Sequence, residues 1–581
     1  MYLKGRKSNY VKRPLKHIDG YEDHIWKGWA EIVSELQKHL TSDDVLVVDM
    51  YHGTDEREVK DNLIRPLGGT AFFAEEAKLK EEELYPKISR NVTDDRVFGS
   101  LSIHNMCDFY DSEKVKALRE KIDGTEGFRI VYGVGAAYVY PEGKIIYCDL
   151  DRWQIQLRYR RGLDNWGVGN YEEDILKKYK RGYFVEWRMQ DRHKFSIWND
   201  ILYMIDTNRK DDPSMVDHLL LEKALDTFAS SPFRLIPYFD EGVWGGKWMQ
   251  EVCDLPESRN NYAWCFDGVP EENAIGIEVN GISFEMPAMN LVKERARKLL
   301  GDKVFARFGA EFPIRFDFLD TMEGQNLSLQ VHPLTEYIHE NFGMAYTQDE
   351  SYYILDAGEG AHVYLGVKNG VTADTLIPAL ERAGSGEEMF DAEKYINNFP
   401  ARKHDHFLIP AGTIHCSGSN SMVLEISATP YIFTFKLWDW GRLGLDGKPR
   451  PINVERGKHV IQYERNTDWC RANIVNHIET LQEEPGLKVE RTGLHELEFI
   501  ETRRYWFDHK VKFSCARSVN MLNLVEGEEV CVTSVDGSFA PMHIHYAETF
   551  ILPECVKEYY IEPAGEAQGK MVGVIQAAVR V

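Results

Sequence analysis

The pattern of the sequence changes near Arg234, and this change constrains the fold more than any other feature of the 581-residue chain. Before it, segments with helical spacing of apolar residues alternate with short apolar runs such as DVLVVDMYHG, which are typical of buried strands. After it, short strands with Gly, Pro and Asn-Gly turns become frequent, and helical segments interrupt them. Strands that alternate with helices indicate an α/β sheet, whereas many short strands with turns indicate jelly-rolls or barrels. We therefore predict an α/β domain followed by a mostly-β half with two barrels and helical insertions.

The composition limits the partners of this protein. Asp and Glu number 93 against 69 Lys and Arg, a net charge of -24 that argues against a broad nucleic-acid or anionic membrane surface. Nine scattered cysteines without a CxxC pair favour reduced thiols, and we find neither a signal peptide nor an apolar run of membrane-spanning length. We expect a cytoplasmic protein with a small-molecule partner, and the oligomeric state stays open.

Four residues have the chemistry of a metal site. Gln330 and His332, in the segment QVHP, are two apart and would share one face of a strand. Glu350 opens the strand-like segment ESYYILDA, and His415 follows a Pro-Ala-Gly turn. Such nitrogen and oxygen ligands suit zinc, with manganese, cobalt or iron as competitors. The same residues would also suit the polar positions of ordinary half-buried strands, so both interpretations stand at this point.

Several segments, taken in order, resemble the type I mannose-6-phosphate isomerase family of the cupin superfamily. They are VWGGKWM, NLSLQVHP, ESYYILDA, LIPAGTIH, VLEIS and KLWDWGRLGLDGKPR. The resemblance covers roughly residues 237–581. It implies one Zn²⁺ per chain, with another divalent metal possible, held by Gln330, His332, Glu350 and His415.

The resemblance also implies what the two barrels are and where the boundary between them lies. It implies a metal-binding cupin domain with helical insertions at residues 231–440. A second cupin-like β domain would follow at 441–581. That domain contains the segment MHIHYAE, with His543, His545 and Glu548, but we expect it to be metal-free because the spacing is too short for a cupin metal motif.

The family's activity is implied in the same way. We expect a metal-dependent aldose–ketose isomerase that interconverts mannose 6-phosphate and fructose 6-phosphate through an enediol. Glu425 would move the proton, Arg442 and Lys436 would offset negative charge, and Arg450 and Lys436 would bind substrate. Two alternatives remain: a non-catalytic sugar-phosphate-binding cupin, or a cupin isomerase or epimerase of another sugar.

The sequence also departs from the family's pattern on the substrate side. Lys436 stands where the family usually has Arg, Asp317 where Lys is common, and Asn453 where His is typical. Lysine keeps the charge but loses the planar fork that binds a phosphate with two hydrogen bonds. These departures leave the exact sugar and its phosphate contacts open, and also whether activity is changed or abolished.

The first 230 residues form an α/β domain of unknown role. The segment RIVYGVGAAYVY and the Arg-rich stretch after KIIYCDLDRW resemble the later half of uridine-kinase-type nucleotide kinases. The phosphate-binding motif GxxxxGK[ST] is missing, so we predict that this domain is dispensable for catalysis and is not an ATP-dependent kinase. A degenerate kinase-like domain without a P-loop is one interpretation of it. We interpret His404 and His406 as exposed residues before the metal-bearing strand.

Overall fold

The computed structural model describes all residues except 1, 4, 429, 430, 432, 446, 448, 449, 451 and 494. The chain forms two compact units. We call the first the α/β unit, which comprises Leu15–Phe228 and Glu271–Arg295. We call the second the β-rich unit, which comprises Met1–Pro14, Ala229–Pro270 and Ala296–Val581. No helix among the described residues has the length and apolar character needed to cross a membrane.

The α/β unit is built on a seven-stranded sheet with a parallel centre. In sheet order its strands are Ile25–Lys27, Ser214–Asp217, Ile201–Asp206, Lys144–Asp149, Val45–Met50, Arg129–Gly133 and Thr70–Phe73. The last five strands of this order run parallel, and the first two are antiparallel additions at one edge. Val45–Met50 is the middle strand of the five parallel ones and is buried at every position, as expected of a parallel strand covered on both faces.

Helices connect and cover these strands. The α-helices are Trp29–His39, Glu56–Val59, Arg65–Leu67, Glu81–Val92, Ser112–Asp123, Ala136–Val139, Arg152–Arg160, Ile175–Arg181, Trp187–Ser196, His218–Ala229 and Ala288–Glu294. Shorter or wider turns are the 3₁₀ segments Glu22–His24, Ala74–Ala77, Met106–Phe109 and Trp198–Asp200, and the π segments Lys60–Ile64 and Gly182–Glu186. The predicted alternation of helices and strands is present.

A second, three-stranded sheet corrects one predicted boundary. It consists of Lys16–His17, Ala274–Val279 and Ile282–Pro287. The hairpin 274–287 was assigned to the domain 231–440, but it pairs in parallel with Lys16–His17 and lies in the α/β unit. Its Asn-Gly turn predicts a hairpin correctly and contains no information about which sheet the hairpin joins. The predicted division near residue 440 stays a prediction, because both barrels lie within the β-rich unit.

The β-rich unit contains two pairs of sheets, as expected for cupin-like architecture. In the first pair, one sheet has the order His406–Ile409, Asp349–Ala357, Ser421–Ala428, Arg315–Asp320, Trp264–Gly268 and Tyr238–Asp240. The other sheet has the order Ile396–Pro400, His362–Val367, His415–Ser417, Leu329–Val331 and Phe435–Trp438. All pairings within both sheets are antiparallel.

The second pair of sheets lies in the C-terminal part of the chain. One sheet has the order Glu479–Glu484, Leu487–Gly493, Ile500–Phe507, Val572–Val579, Asn520–Glu526 and Thr549–Leu552. The other has the order Val511–Ser514, Glu558–Pro563, Glu529–Ser534 and Met542–His545. A shared hydrophobic core that includes Phe507, Phe513, Phe550 and Tyr559 joins the two sheets.

Helices and an N-terminal arm complete the β-rich unit. The helices are Trp248–Val252, Ala296–Leu300, Asp302–Phe308, Thr335–Phe342, Ala373–Gly384, Ala392–Tyr395, Val454–Gly457 and Thr467–Asn473, with 3₁₀ turns at Glu554–Val556 and Gly565–Ala567. In the arm, the Val11 N–H donates to the Glu548 carboxylate over 2.6 Å. The same carboxylate forms a buried ion pair with Arg234. Residues 1–14 are therefore part of this unit, although the sequence analysis placed them in the α/β domain.

Candidate metal centre

Two histidines and one glutamate meet inside the first pair of sheets. Among the described residues, His332, Glu350 and His415 form a group of potential metal ligands whose ligand atoms lie within 4.8 Å of one another. Glu350 belongs to one sheet and His415 to the other, so the group joins the facing inner surfaces. All three residues are at most 1% exposed. A site built on two facing strands is held more firmly than one built on loops.

The turn before His415 is fixed by its own contacts. Gly412 has a φ of +89°, and a Cβ there would lie 2.6 Å from the Gln462 side chain. Its N–H donates to the His332 carbonyl over 2.8 Å, which ties the turn to the neighbouring ligand. Arg465 donates to the Pro410 carbonyl at 2.7 Å. The Pro-Ala-Gly turn thus positions His415 through backbone contacts that only glycine permits.

Hydrogen bonds select the tautomer of both histidines. Nδ1 of His332 lies 3.0 Å from the Phe433 carbonyl, and Nδ1 of His415 lies 2.9 Å from the Thr413 carbonyl. A carbonyl oxygen can only accept, so each Nδ1 carries the proton. In the neutral ring, each Nε2 is then left with a lone pair. Metal-binding histidines are commonly oriented in this way.

The lone pairs of the three side chains converge without pairing well. Nε2 of His332 is 3.0 Å from Oε2 of Glu350, and Nε2 of His415 is 2.7 Å from Oε1. Nevertheless, neither His332 Nε2 nor Glu350 Oε1 has a hydrogen-bond partner of good geometry in the described part of the chain. Buried acceptors that face one another need a proton or a cation between them. The donor set therefore fits a divalent metal ion.

The electrostatics of the group are consistent with this fit. Burial alone would lower the pKa of His332, but the Glu350 carboxylate reverses the shift and the pKa is raised. Burial would raise the pKa of Glu350, but His332 and His415 overcome that effect and hold it well below its usual range. A carboxylate that stays ionised between two imidazoles is a suitable ligand for a cation.

Gln330 lies beside this group. It is directly opposite His415 on the neighbouring strand, and its Nε2 is 3.2 Å from His415 Nε2. Rotating the amide by 180° exchanges Nε2 and Oε1, which turns the oxygen toward the same region. The structure thus brings all four predicted ligands together, while their role in binding metal stays a prediction.

Glu425 lies next to the candidate ligands on the inner face of its sheet. It is directly opposite Asp317 on one neighbouring strand and Tyr352 on the other. Tyr352 is two residues from Glu350 on the same strand, so these side chains share a face. Burial, together with the carboxylates of Asp317 and Glu350, raises the pKa of Glu425 well above its usual range. Such a carboxyl group is suited to proton transfer near neutral pH.

The predicted cations occupy two different environments. Lys436 is directly opposite Gln330, so it shares the face that carries the candidate ligands. Arg442 and Arg450 both form ion pairs with Asp439, and Arg442 also donates to the Asn326 carbonyl. Their proposed contacts with substrate stay predictions, because the structure gives these two arginines an ion-pair partner of their own.

Two residues of the site were not found by the sequence analysis. Tyr352 is completely buried, its ring is 5.8 Å from that of His415, and its hydroxyl has no hydrogen-bond partner among the described residues. Gln348 donates from Nε2 to Glu350 at 2.7 Å and lies 3.5 Å from a Glu425 oxygen, so it orients both carboxylates. The alternation of ESYYILDA does put Tyr352 on the face of Glu350, which was the available signal.

The other histidine motifs have different environments. His406 is completely buried, with its pKa lowered by burial to about 3, so the expectation of exposure is wrong for this residue. Its strand is at the edge of its sheet but packs against the strand Leu487–Gly493, which the short segment KHDHF did not indicate. In the second pair of sheets, His543 contacts Glu529 and His545 contacts Glu548.

Comparisons with known proteins give a family match and several curated relatives. Residues 28–230 match a family described as a domain of unknown function (DUF8485). The mannose-6-phosphate isomerase ManA of Bacillus subtilis (strain 168) is 29% identical over 236 residues, which is 40% of this chain and 69% of that protein. The mannose-6-phosphate isomerase of Streptococcus mutans is 25% identical over 234 residues, 40% of this chain and 68% of that protein. Part of this chain is therefore related to the type I mannose-6-phosphate isomerase family.

A solved structure is also similar. The crystal structure of the mannose 6-phosphate isomerase from Bacillus subtilis has a TM-score of 0.48 and 19% identity, and it covers 60% of this chain and 100% of that chain. The predicted relationship to the isomerase family is confirmed, and the relatives support the prediction that this chain is an enzyme of that kind. The resemblance of the first 230 residues to nucleotide kinases stays a prediction.

Proposed function

We propose that this protein is a metal-dependent aldose–ketose isomerase of a phosphorylated hexose, with mannose 6-phosphate and fructose 6-phosphate as the first pair to test. The main support is that His332, Glu350 and His415 converge, and that His332 Nε2 and Glu350 Oε1 lack a hydrogen-bond partner among the described residues. Glu425 lies opposite Tyr352, on the same face as Glu350. Curated relatives named as mannose-6-phosphate isomerases support the reaction class. Zinc is the preferred ion for two imidazoles and a carboxylate.

Different residues of the site have different roles in the proposed reaction. When bound, a divalent ion would supply Lewis-acid stabilisation of negative charge on the sugar oxygens. Isomerisation moves a proton between C2 and C1, so a side chain must take that proton and return it to the neighbouring carbon. Glu425 is the proposed carrier, because it is buried beside Glu350 and its raised pKa favours holding a proton. Gln348 would keep the two carboxylates in their orientations.

Lys436 is the proposed partner for negative charge on the substrate. It shares a face with Gln330 and is half-buried, so its ammonium group can reach the region of the candidate ligands. A lysine can bind a phosphate as a point charge even without the fork of an arginine. Arg442 and Arg450 would attract the negative charge of the substrate without direct contact. Asp439 already neutralises part of their own charge.

One observation favours a second candidate, isomerisation or epimerisation of another sugar. Asp317, which stands where the family commonly has Lys, is buried directly opposite Glu425. Two carboxyl groups in adjacent positions raise the cost of placing a phosphate nearby. A sugar without phosphate would avoid this cost, and its hydroxyls would donate hydrogen bonds to the same groups.

A coupled assay on the metal-analysed protein tests the proposal. The panel contains mannose, glucose and fructose 6-phosphates and the corresponding free hexoses, with Zn²⁺, Mn²⁺ and Co²⁺ each added to separate samples. Turnover of mannose 6-phosphate to fructose 6-phosphate supports the proposal. Turnover of free hexoses alone would support the second candidate. Sugar-phosphate binding without any turnover would replace both with the non-catalytic binding function.

Changing Lys436 tests the charge of the substrate. We expect Lys436→Arg to keep or improve activity and Lys436→Gln to raise the KM for a hexose 6-phosphate about 10-fold, equivalent to about 1.4 kcal/mol of lost charge-assisted bonding. The KM for a free hexose should not change. Lys458→Gln, which removes a lysine paired with Glu455 elsewhere in the unit, is the control. Equal effects of Lys436→Gln on phosphorylated and free sugars would contradict the assignment.

Changing Tyr352 tests the buried hydroxyl. A hydroxyl with no partner in the folded protein is costly unless a ligand satisfies it. We expect Tyr352→Phe to keep its metal and to lower kcat about 10-fold or more, the effect of losing one hydrogen bond of about 1.5 kcal/mol to a charged group. Its free energy of unfolding should stay the same or rise by about 1 kcal/mol, because a buried unpaired group has been removed.

The two measurements on Tyr352→Phe must be read together. A lower kcat with an unchanged or higher Tm supports a role for the hydroxyl in the reaction. A lower Tm with an unchanged kcat would show that the hydroxyl is structural. Ser351→Ala, on the opposite face of the same strand, is a matched control that should leave kcat unchanged.

A further inference from the structure

The α/β unit has a buried lysine that makes no ion pair with any residue the structure describes. It lies at the edge of the sheet where ligands usually bind. Lys78 follows the strand Thr70–Phe73 and the 3₁₀ turn Ala74–Ala77, so it is at the carboxyl end of the parallel sheet. It is 8% exposed. In open α/β sheets, ligands bind in the crevice at the carboxyl ends of the strands.

The contacts of Lys78 leave its charge unbalanced. Its Nζ lies 4.8 Å from the centre of the Trp166 ring, and in the described part of the chain it makes neither a hydrogen bond nor an ion pair within 4.0 Å. Gly167 leaves room for the ammonium group, since a Cβ there would be 2.7 Å from Nζ. A cation–π contact is worth about 0.5–2 kcal/mol and does not replace the hydration of a buried ammonium group.

The nearby carboxyl groups do not supply the missing partner. Glu186 is already bound by Arg181 at 2.8 Å and by Asn165 at 3.0 Å. Burial raises the pKa of Glu75 to about 7, so this group is partly protonated at neutral pH. Burial lowers the pKa of Lys78, and the attraction of Glu186 and Glu75 does not restore it.

A second unpaired donor, Gln190 on the helix Trp187–Ser196, contacts the loop that follows the strand Val45–Met50. Gln190 is 1% exposed; its Oε1 accepts the His52 N–H at 2.6 Å, but its Nε2 has no partner among the described residues. His52 also feels the charge of Lys78, which adds to the effect of burial in lowering its pKa. Lys78 and Gln190, which both act on His52, thus lack a hydrogen-bond acceptor for their side-chain nitrogens among the described residues, and an anion would supply acceptors.

The glycine motif of this unit does not supply a phosphate loop. The N–H groups of Gly135 and Ala137, which follow the Arg129–Gly133 strand, donate to the Asp49 carboxylate at 3.0 and 2.9 Å. Asp49 therefore occupies these donors as an internal anion, and His193 contacts the same carboxylate. An anionic ligand of this unit would have to use other donors.

We propose that the α/β unit binds a small anionic metabolite through Lys78 at the carboxyl edge of its sheet, by a phosphate or carboxylate group. The ammonium group supplies the charge, and Gln190 Nε2 is the additional donor. This site is separate from the candidate metal centre, which lies in the β-rich unit. It gives the unit that matches a domain of unknown function a binding role.

Titration calorimetry on the full-length, metal-loaded protein tests this proposal with three probes: inorganic phosphate, adenosine monophosphate and succinate. We expect at least one probe to bind, with affinity at least 10-fold weaker in Lys78→Met and largely kept in Lys78→Arg. Lys144→Met, in the same unit, removes a half-exposed lysine that pairs with Asp44 and is the control. Binding should persist in the metal-site variant His332→Ala, which separates it from any anion held by metal. Binding of phosphate but not succinate, or the reverse, identifies the chemical group.

A second measurement needs no variant. An amine with a lowered pKa reacts with acylating reagents near neutral pH, so mass spectrometry can follow the labelling of Lys78 directly. The probe that binds should slow this labelling and leave that of Lys144 unchanged. Unchanged affinity in Lys78→Met, labelling of Lys78 that no probe slows, or no binding of any probe to the wild-type protein would each overturn the proposal.

Discussion

His332→Ala and His415→Ala are each expected to leave a folded protein that binds no divalent metal and has no measurable isomerase activity. Each change removes one of two imidazole nitrogens that lie within 3.0 Å of Glu350. Removing a residue that hydrogen-bonds to a metal ligand already lowers metal affinity about 10–100-fold. Removing the ligand itself should lower the affinity further. The metal content measured by elemental analysis should fall from about one equivalent per chain to almost none.

The control for these variants comes from the second pair of sheets. His543 is 56% exposed on its side chain and contacts Glu529, so His543→Ala should keep both metal and activity. Circular dichroism should show that all three variants retain their strands. A folded wild-type protein without metal, or a protein that loses its metal only in His543→Ala, would end the assignment of the metal centre.

The candidate ligands could be predicted because each has a local signal. Gln330 and His332 share a face through the two-residue period of a strand, and His415 follows a turn that requires glycine. The sequence does not indicate which residue each charged side chain of the site pairs with. Arg442 is only three residues from Asp439, but Arg450 is 11 residues away, and its ion pair with Asp439 is a tertiary contact that local spacing does not indicate.

Tyr352 and Gln348 were missed for a related reason. A tyrosine in a strand is ordinarily a core residue. The importance of Tyr352 lies in a hydroxyl that has no partner in the described part of the chain, which is a property of the folded state. Gln348 precedes the strand, and only the packing of Glu350 against Glu425 makes it a bridge. Orientation of ligands by their neighbours is generally decided by tertiary contacts.

The division of the chain into units was also predicted only in part. Alternating strands and helices correctly indicated an α/β sheet, but two segments belong to a different unit from their neighbours in sequence. Residues 1–14 contact the β-rich unit, and 271–295 complete the α/β unit. A fragment that begins near residue 231 would lack the N-terminal arm whose Val11 N–H donates to Glu548. It would also keep the hairpin 274–287 without the strand Lys16–His17 that pairs with it. Truncation at that point is therefore a poor test of whether the α/β unit is dispensable.

Glu425→Gln is expected to keep its metal and bind sugar phosphate but lose about 10²–10⁴-fold in kcat, the usual contribution of a positioned acid–base group. The amide has nearly the same shape as the carboxyl group and can keep the contact with Gln348 through its oxygen. It cannot take a proton from carbon, so the reaction would stop at proton transfer. The KM should change little, since Glu425 is proposed to act on the proton and not to hold the phosphate.

Three measurements separate this role from a structural one. Metal content should be unchanged, which shows that Glu350 is undisturbed. The exchange of the C2 proton of the substrate with solvent deuterium, followed by NMR, should slow in parallel with kcat. Asp317→Asn removes the other carboxyl group of the pair and should lower the pKa of Glu425, because the repulsion that raises it is gone. The acidic limb of the kcat–pH profile should then move to lower pH, whereas a profile that does not move, together with wild-type turnover in Glu425→Gln, would assign the proton to another group.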